Sequence, residues 1–122
     1  MARLLIVDDE EHIRLLYSEE LGEEGYDVLS ADSGHQLLER IEAEKPDLVI
    51  LDIKMTEHNG LDLLQNIRNK HYDLPVIICS AYDTFKEDMK SMAANDYVIK
   101  SFDLTELKTK IKKALNAAMV KN

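Results

Sequence analysis

The chain reads LLIVDD at residues 4–9 and LVILD at residues 48–52. Each stretch is a run of four apolar residues that ends in acid. Short apolar runs of this kind, separated by segments with helical spacing, are typical of strands that are buried on both faces of a parallel sheet. The two stretches therefore predict two buried parallel strands, with Asp8 and Asp9 following the first strand and Asp52 following the second.

Two further apolar runs end in polar side chains. VIIC at residues 76–79 is followed by Ser80, and YVI at residues 97–99 is followed by Lys100. The carboxyl ends of parallel strands meet at one edge of the sheet, which is where the active crevice of such folds lies. We therefore expect three carboxylates, one hydroxyl and one ammonium to converge there.

This combination of groups indicates a particular chemistry. Carboxylates placed close together repel one another unless a hard cation lies among them, and Mg²⁺ is the usual one. With the acids neutralised, Lys100 and Ser80 would be free to hold an oxyanion. The pattern predicts a site that takes a phosphoryl group onto an aspartate.

Strands and helices alternate along the whole chain. We predict an α/β fold with a doubly wound, five-stranded parallel sheet of order 2-1-3-4-5, which is the flavodoxin-like (βα)5 arrangement. A length of 122 residues fits one domain, residues 1–122. The predicted strands are 3–8, 27–31, 48–52, 76–79 and 97–99. The predicted helices are 11–24, 33–44 with Ser33 as its N-cap, 61–69, 86–93 and a last one that starts at 103 or 104.

The composition excludes several classes of partner. The formal net charge is −9, which disfavours binding of this domain to nucleic acid or to an anionic membrane, because both need clustered Lys and Arg. Cys79 is the single cysteine, so no disulfide can form within the chain and a reducing compartment is expected. No signal peptide and no apolar run of about 18 residues is present, so we expect a cytoplasmic protein.

The motifs LLIVDDE, LVILDIKM, IICSAY and DYVIKSF, at these separations, resemble the receiver domain of two-component response regulators across essentially the whole chain. The resemblance implies that Asp52 accepts a phosphoryl group from a sensor histidine kinase or a histidine phosphotransfer protein. It implies that Lys100 pairs with the phosphoryl oxygens. It also implies that Ser80 and Tyr97 form a switch, in which the hydroxyl moves toward the phosphoryl group and the ring rotates inward.

The same resemblance supplies a cofactor and its ligands. The cofactor is Mg²⁺, held by Asp9, Asp52 and the backbone carbonyl of Lys54, with Asp8 reaching the ion through water. Such a domain catalyses only its own phosphorylation and dephosphorylation, so we do not expect an enzyme that acts on a diffusible substrate.

The resemblance also predicts two contact surfaces. The first helix would dock the kinase, with Ile13 and Leu16 as candidate contacts, although their helical spacing equally permits both to lie in the core. The fourth helix, fifth strand and last helix would form the output face, on which a downstream protein or effector domain acts. We expect a monomer, or a weak phosphorylation-linked dimer. In such a dimer Lys86 would form an ion pair with Glu106 across the interface, and Asp96 would form one with Lys110.

One departure from the family pattern lies beside the site. Ser101 stands where the family usually has proline after the lysine, often with a cis peptide bond. A cis bond costs about 2.5–4 kcal/mol before a residue other than proline. We therefore expect the bond between Lys100 and Ser101 to be trans.

Three alternatives remain open from the sequence. The chain is either a stand-alone regulator or the receiver module of a longer, possibly transcriptional, regulator. A Mg²⁺-dependent phosphatase or phosphotransferase with an aspartyl-phosphate intermediate has similar site chemistry, but such enzymes typically carry a second aspartate where Lys54 stands. A degenerate receiver that only binds partners is disfavoured by the complete set of acids, Ser80 and Lys100.

Overall fold

The computed structural model describes residues 2–53, 60–81 and 94–120, with side chains described as far as Ala118. The predicted helix at 86–93 lies outside the described residues, as do Lys54 and Lys86. Within the described ranges, no helix is both long enough and apolar enough to cross a membrane.

The described strands are β1 (Arg3–Val7), β2 (Asp27–Ala31), β3 (Leu48–Leu51), β4 (Val76–Ser80) and β5 (Asp96–Ile99). They form one parallel sheet, and its order, β2-β1-β3-β4-β5, is the predicted one. In that sheet Val7 pairs with Leu51, and Leu51 pairs with Ile78, so the residues that follow these strands lie along one edge.

The described helices are α1 (Glu11–Glu23), α2 (Leu37–Glu44), α3 (Gly60–Lys70) and α4 (Thr105–Val120). They pack against both faces of the sheet, which confirms the doubly wound prediction. Alternate residues of β1 divide between two core clusters: Leu4 and Ile6 pack with α1 and α4, whereas Leu5 and Val7 pack with α2 and α3. All four are buried, which explains why the strand is continuously apolar.

The start of α2 differs from the prediction. Gln36 has a φ of 53° and lies in the left-handed region, so the helix begins at Leu37 and not at residue 33. The Ser33 hydroxyl does not cap the helix; it accepts a hydrogen bond from the N–H of His35 at 3.2 Å. Short serine-to-backbone hydrogen bonds of this kind favour turns over helices.

The start of α3 is packed directly against the end of β3. The N–H of Gly60 donates to the carbonyl of Ile53 at 3.1 Å. A Cβ atom at Gly60 would overlap the Cα of Ile53 and lie 2.7 Å from the carbonyl oxygen of Asp52. Glycine is therefore required at this position because of its size. Since glycine has no side chain, the start of α3 can pack directly against Asp52 and Ile53, which follow β3.

Candidate functional site

Four acids lie together at the carboxyl edge of the sheet. Asp8 and Asp52 follow β1 and β3 and are both 3% exposed. Asp9 is half-buried and Glu10 is exposed. One carboxylate oxygen from each of the four lies within 4.8 Å of the others. The predicted convergence of Asp8, Asp9 and Asp52 is confirmed, and Glu10 is an additional member that the sequence interpretation missed, although it directly follows the two aspartates.

Lys100 joins three of these acids. Its Nζ lies 2.8 Å from Asp8 Oδ2, 2.7 Å from Glu10 Oε1 and 3.1 Å from Asp52 Oδ2. The lysine follows β5, and its backbone N–H donates to the carbonyl of Ser80 at 2.7 Å. The pairing of β4 with β5 therefore places the lysine beside the acids that follow β1 and β3.

Burial and charge oppose each other at this cluster. Burial raises the pKa of Asp8 above its ordinary value, and the hydrogen bonds from Lys100 and from the Glu10 N–H only partly offset that effect. Burial by itself would lower the pKa of Lys100, but its hydrogen bonds to Asp8 and Glu10 and the charges of Asp52 and Asp8 outweigh it, so this pKa is raised. Lys100 is thus a cation at neutral pH, and three of the four carboxylates lie within 3.1 Å of its Nζ.

The two predicted switch residues are both buried. Ser80 ends β4 and has no exposed surface, and Tyr97 lies in β5 at 5% exposure. The Tyr97 ring belongs to the core cluster on the α2 and α3 face. In this structure the ring therefore already lies inside the protein.

The predicted docking residues on α1 have little exposed surface. Ile13 is part of the core, and Leu16 is half-buried against it, which is the arrangement that the sequence analysis held open as an alternative. Leu15 of the same helix is 64% exposed, and Phe102, which follows β5 by three residues, is 82% exposed. Leu15 and Phe102 therefore expose more apolar surface than Ile13, and the choice of Ile13 and Leu16 as docking residues stays a prediction.

One predicted intermolecular ion pair forms within the chain. Lys110 Nζ lies 3.0 Å from Asp96 Oδ1 and 3.2 Å from Glu106 Oε2. A contact between two copies through Lys110 would have to replace these bonds. The peptide bond between Lys100 and Ser101 is trans, as expected, since the described residues include no cis bond.

Comparison with known proteins agrees with this geometry. A family model described as the response regulator receiver domain matches residues 4–112. The chain belongs to the response regulator receiver domain family. This receiver domain is 35% identical over 115 residues to sporulation initiation phosphotransferase F of Bacillus subtilis, a match that covers 93% of each chain. It is also 31% identical over 120 residues to the alkaline phosphatase synthesis transcriptional regulatory protein PhoP of the same organism.

Solved structures of receiver proteins superpose closely on this receiver domain. The response regulator TrrA of Thermotoga maritima in complex with Mg²⁺–BeF has a TM-score of 0.88 and 46% identity, covering 93% of this chain and 99% of that one. TrrA in complex with the histidine kinase ThkA has a TM-score of 0.86 and 47% identity, covering 94% and 99%.

The lengths of the relatives differ widely. The receiver domain spans 50% of PhoP and 26% of the regulatory protein AtoC of Escherichia coli. It spans 93% of sporulation initiation phosphotransferase F. The same fold thus occurs both in relatives about as long as this chain and in longer regulators.

Proposed function

We propose that this receiver domain is the phosphoacceptor switch of a two-component pathway, in which Asp52 takes a phosphoryl group from a phosphohistidine. The observation that carries the proposal is the position of Lys100 Nζ, 3.1 Å from Asp52 Oδ2 within the cluster of strand-end acids. A buried nucleophilic carboxylate beside a fixed cation suits phosphoryl transfer, which depends mainly on positioning and charge neutralisation.

The donor set of the site fits Mg²⁺. Four carboxylates within 4.8 Å of one another offer the oxygen ligands that this hard cation takes. Asp9, Asp52 and the carbonyl of Lys54 would hold the ion, with Asp8 reaching it through water. When bound, Mg²⁺ supplies positive charge that offsets the acids and the phosphoryl oxygens.

The reaction uses residues of this chain in defined roles. A carboxylate oxygen of Asp52 attacks the phosphorus; the P–O bond forms as the P–N bond to the donor histidine breaks, and the imidazole leaves. Lys100 balances the charge of the phosphoryl oxygens. The Ser80 hydroxyl then donates a hydrogen bond to one of these oxygens, and the Tyr97 ring changes its packing at the same time. These two movements change the surface that partners contact, so the surface depends on the added charge. Catalysis by the domain is confined to its own phosphorylation and dephosphorylation.

The comparisons support the proposed partners. TrrA binds a histidine kinase, and we propose a sensor histidine kinase or a histidine phosphotransfer protein as the donor here, acting in the cytoplasm. The output is a downstream protein if the domain acts alone, or an attached effector domain if it is part of a longer regulator. We propose a monomer, or at most a weak phosphorylation-linked dimer.

Labelling by a small donor tests the proposed function. The protein is incubated with acetyl phosphate in Mg²⁺ or in EDTA, and the product is resolved by intact mass and Phos-tag gel. We expect one phosphate per chain in Mg²⁺, none in EDTA and none in Asp52→Asn. The exposed Asp73→Asn is the matched control and should label like the wild type. Equal labelling of wild type and Asp52→Asn, with and without the ion, would contradict the assignment of Asp52 as the phosphoacceptor.

The same experiment, extended to a stable phosphate ester, distinguishes the rival phosphatase. A receiver carries at most one phosphate per chain and releases phosphate only as its own aspartyl phosphate hydrolyses. A phosphatase would instead also hydrolyse a stable monoester such as p-nitrophenyl phosphate at a steady rate, whereas a receiver would leave that ester intact.

A further inference from the structure

The phenol of Tyr17 holds the residue that follows Lys100. Tyr17 lies on α1 and is 2% exposed. Its hydroxyl donates to the backbone carbonyl of Ser101 at 2.9 Å and accepts from the backbone N–H of Ser101 at 3.2 Å. One buried side chain therefore occupies both backbone polar groups of one residue at the edge of the site.

These contacts fix the backbone on the C-terminal side of Lys100. On the other side, the Lys100 N–H is already bonded to the carbonyl of Ser80 at 2.7 Å. The lysine side chain is long and has many rotamers, so the position of its ammonium depends on how firmly its Cα is held. With both neighbouring N–H groups bonded, the base of the side chain is fixed relative to β4 and α1.

Tyr17 also reaches the strand that carries Ser80. The thiol of Cys79, the residue before Ser80, lies 4.0 Å from the Tyr17 hydroxyl. Burial, together with the nearby thiol, raises the pKa of Tyr17 to about 12, so the phenol remains protonated and able to donate at any physiological pH. The Tyr17 hydroxyl thus contacts both Cys79 of β4 and Ser101, which follows β5.

We propose that Tyr17 is a positioning residue for Lys100, and that its hydrogen bonds to Ser101 aim the lysine at the phosphoryl group on Asp52. This rests on the proposed function. Ser101 suits the arrangement because, unlike proline, it has an N–H to donate. The competing explanation is that Tyr17 is an ordinary core residue whose hydroxyl matters only for stability.

The first variant separates the hydroxyl from the ring. Tyr17→Phe keeps the apolar packing and deletes both hydrogen bonds. We expect labelling by acetyl phosphate in saturating Mg²⁺ to slow about fivefold, which corresponds to about 1 kcal/mol. Tyr26→Phe is the matched control, because Tyr26 packs against the same core cluster and its hydroxyl makes no hydrogen bond to the described residues. It should label at the wild-type rate.

A second pair of readouts excludes a purely structural role. Mg²⁺ binds the carboxylates, whereas beryllofluoride, a phosphoryl mimic, also needs Lys100. Tyr17→Phe should therefore keep the wild-type affinity for Mg²⁺ and lose about fivefold in affinity for beryllofluoride. Equal weakening of both would indicate a general disturbance of the site and would overturn the proposal.

A third measurement needs neither metal nor phosphate. Amide hydrogen exchange in the wild type should show protection of the Ser101 N–H, and Tyr17→Phe should remove that protection. An unprotected Ser101 amide in the wild type would overturn the proposal even if the variant failed to fold.

The failures of the two proposals are distinguishable. If the wild type labels on Asp52 and Tyr17→Phe matches it in rate and in beryllofluoride affinity, only the role of Tyr17 falls. If the wild type takes no phosphate at all, the proposed function falls, and the role of Tyr17 falls with it.

Discussion

The ammonium of Lys100 lies nearer to Glu10 than to Asp52: the Nζ atom is 2.7 Å from Glu10 Oε1 and 3.1 Å from Asp52 Oδ2. Glu10 is half-exposed, whereas Asp52 is buried. An outer carboxylate therefore competes with Asp52, the proposed acceptor, for the cation that phosphoryl transfer would need.

Removing the charge of Glu10 should favour the contact between Lys100 and Asp52. Exposed ion pairs contribute up to about 1 kcal/mol, so we expect Glu10→Gln to speed labelling by acetyl phosphate by up to about fivefold in saturating Mg²⁺. Glu11→Gln, one residue along and also exposed, is the control and should leave the rate unchanged. A slower Glu10→Gln would mean that Glu10 assists the reaction, for example by helping to hold the cation.

Mg²⁺ should stabilise the fold through the acid cluster. A ligand that binds only the native state at about 100 times its dissociation constant adds about 2.7 kcal/mol to the free energy of unfolding. We expect this gain in urea titrations of the wild type and a clearly smaller gain in Asp9→Asn. Sodium chloride at matched ionic strength controls for screening. The same gain in both proteins would place the ion elsewhere.

Cys79 should report global unfolding. Burial raises the pKa of its thiol to about 12, from an ordinary value of 9.0, so at pH 8 the folded protein holds roughly a thousandfold less thiolate than the unfolded chain. Labelling by a thiol reagent should therefore be slow without urea and should follow the unfolding curve. Because the unfolded thiol loses its proton first, the contribution of Cys79 to stability should fall as pH rises above about 9. Fast labelling in native buffer would contradict this.

Ser101→Pro should slow phosphorylation. Proline has no N–H, so the hydrogen bond that the Tyr17 hydroxyl accepts from residue 101 would be lost, at a cost of about 1 kcal/mol or about fivefold in rate. Ser101→Ala, which keeps the backbone N–H, is the matched control. The loss on introducing proline should shrink in a Tyr17→Phe background, because the partner is already absent there. A faster Ser101→Pro protein would show that the trans arrangement aims Lys100 poorly.

Leu15 offers a sharper test of kinase docking than Ile13, which lies in the core. Leu15→Glu alters an exposed position on α1 and should leave folding and acetyl phosphate labelling unchanged. Transfer from the phosphorylated kinase should slow, by about tenfold or more if Leu15 is a central contact. Tyr72→Glu, which also alters an exposed position but lies after α3, is the control. Normal transfer to the Leu15 variant would exclude this part of α1 from the interface.

The sequence predicted the sheet and most of the site because both depend on local patterns. Continuous apolar runs identified the central strands, and the convergence of Asp8, Asp52 and Lys100 followed from parallel pairing. The start of α2 could not be read in this way, because the left-handed backbone of Gln36 is a local turn conformation without a strong residue signature.

Contacts between segments that are far apart in the sequence could not be predicted. The hydrogen bonds of Tyr17 join residues 84 positions apart, and no spacing rule connects them. The sequence also left open which side of α1 is buried. Ile13, Leu15 and Leu16 are all apolar, and only the structure shows which of them is exposed. The run of Asp8, Asp9 and Glu10, in contrast, contained a signal for the fourth acid.

Gly60 has no reactive side chain, but its backbone packs against Ile53 and Asp52. This contact affects which positions a saturation mutagenesis screen of this protein would find intolerant to substitution. A Cβ atom at Gly60 would overlap Ile53 and the carbonyl oxygen of Asp52, so we expect any side chain to displace the backbone that carries Asp52, the proposed acceptor. A screen scored on signalling would therefore rank position 60 beside the acceptor itself. Intolerance to substitution at that position would measure available space, and a survey that equates intolerance with chemistry would count one residue too many.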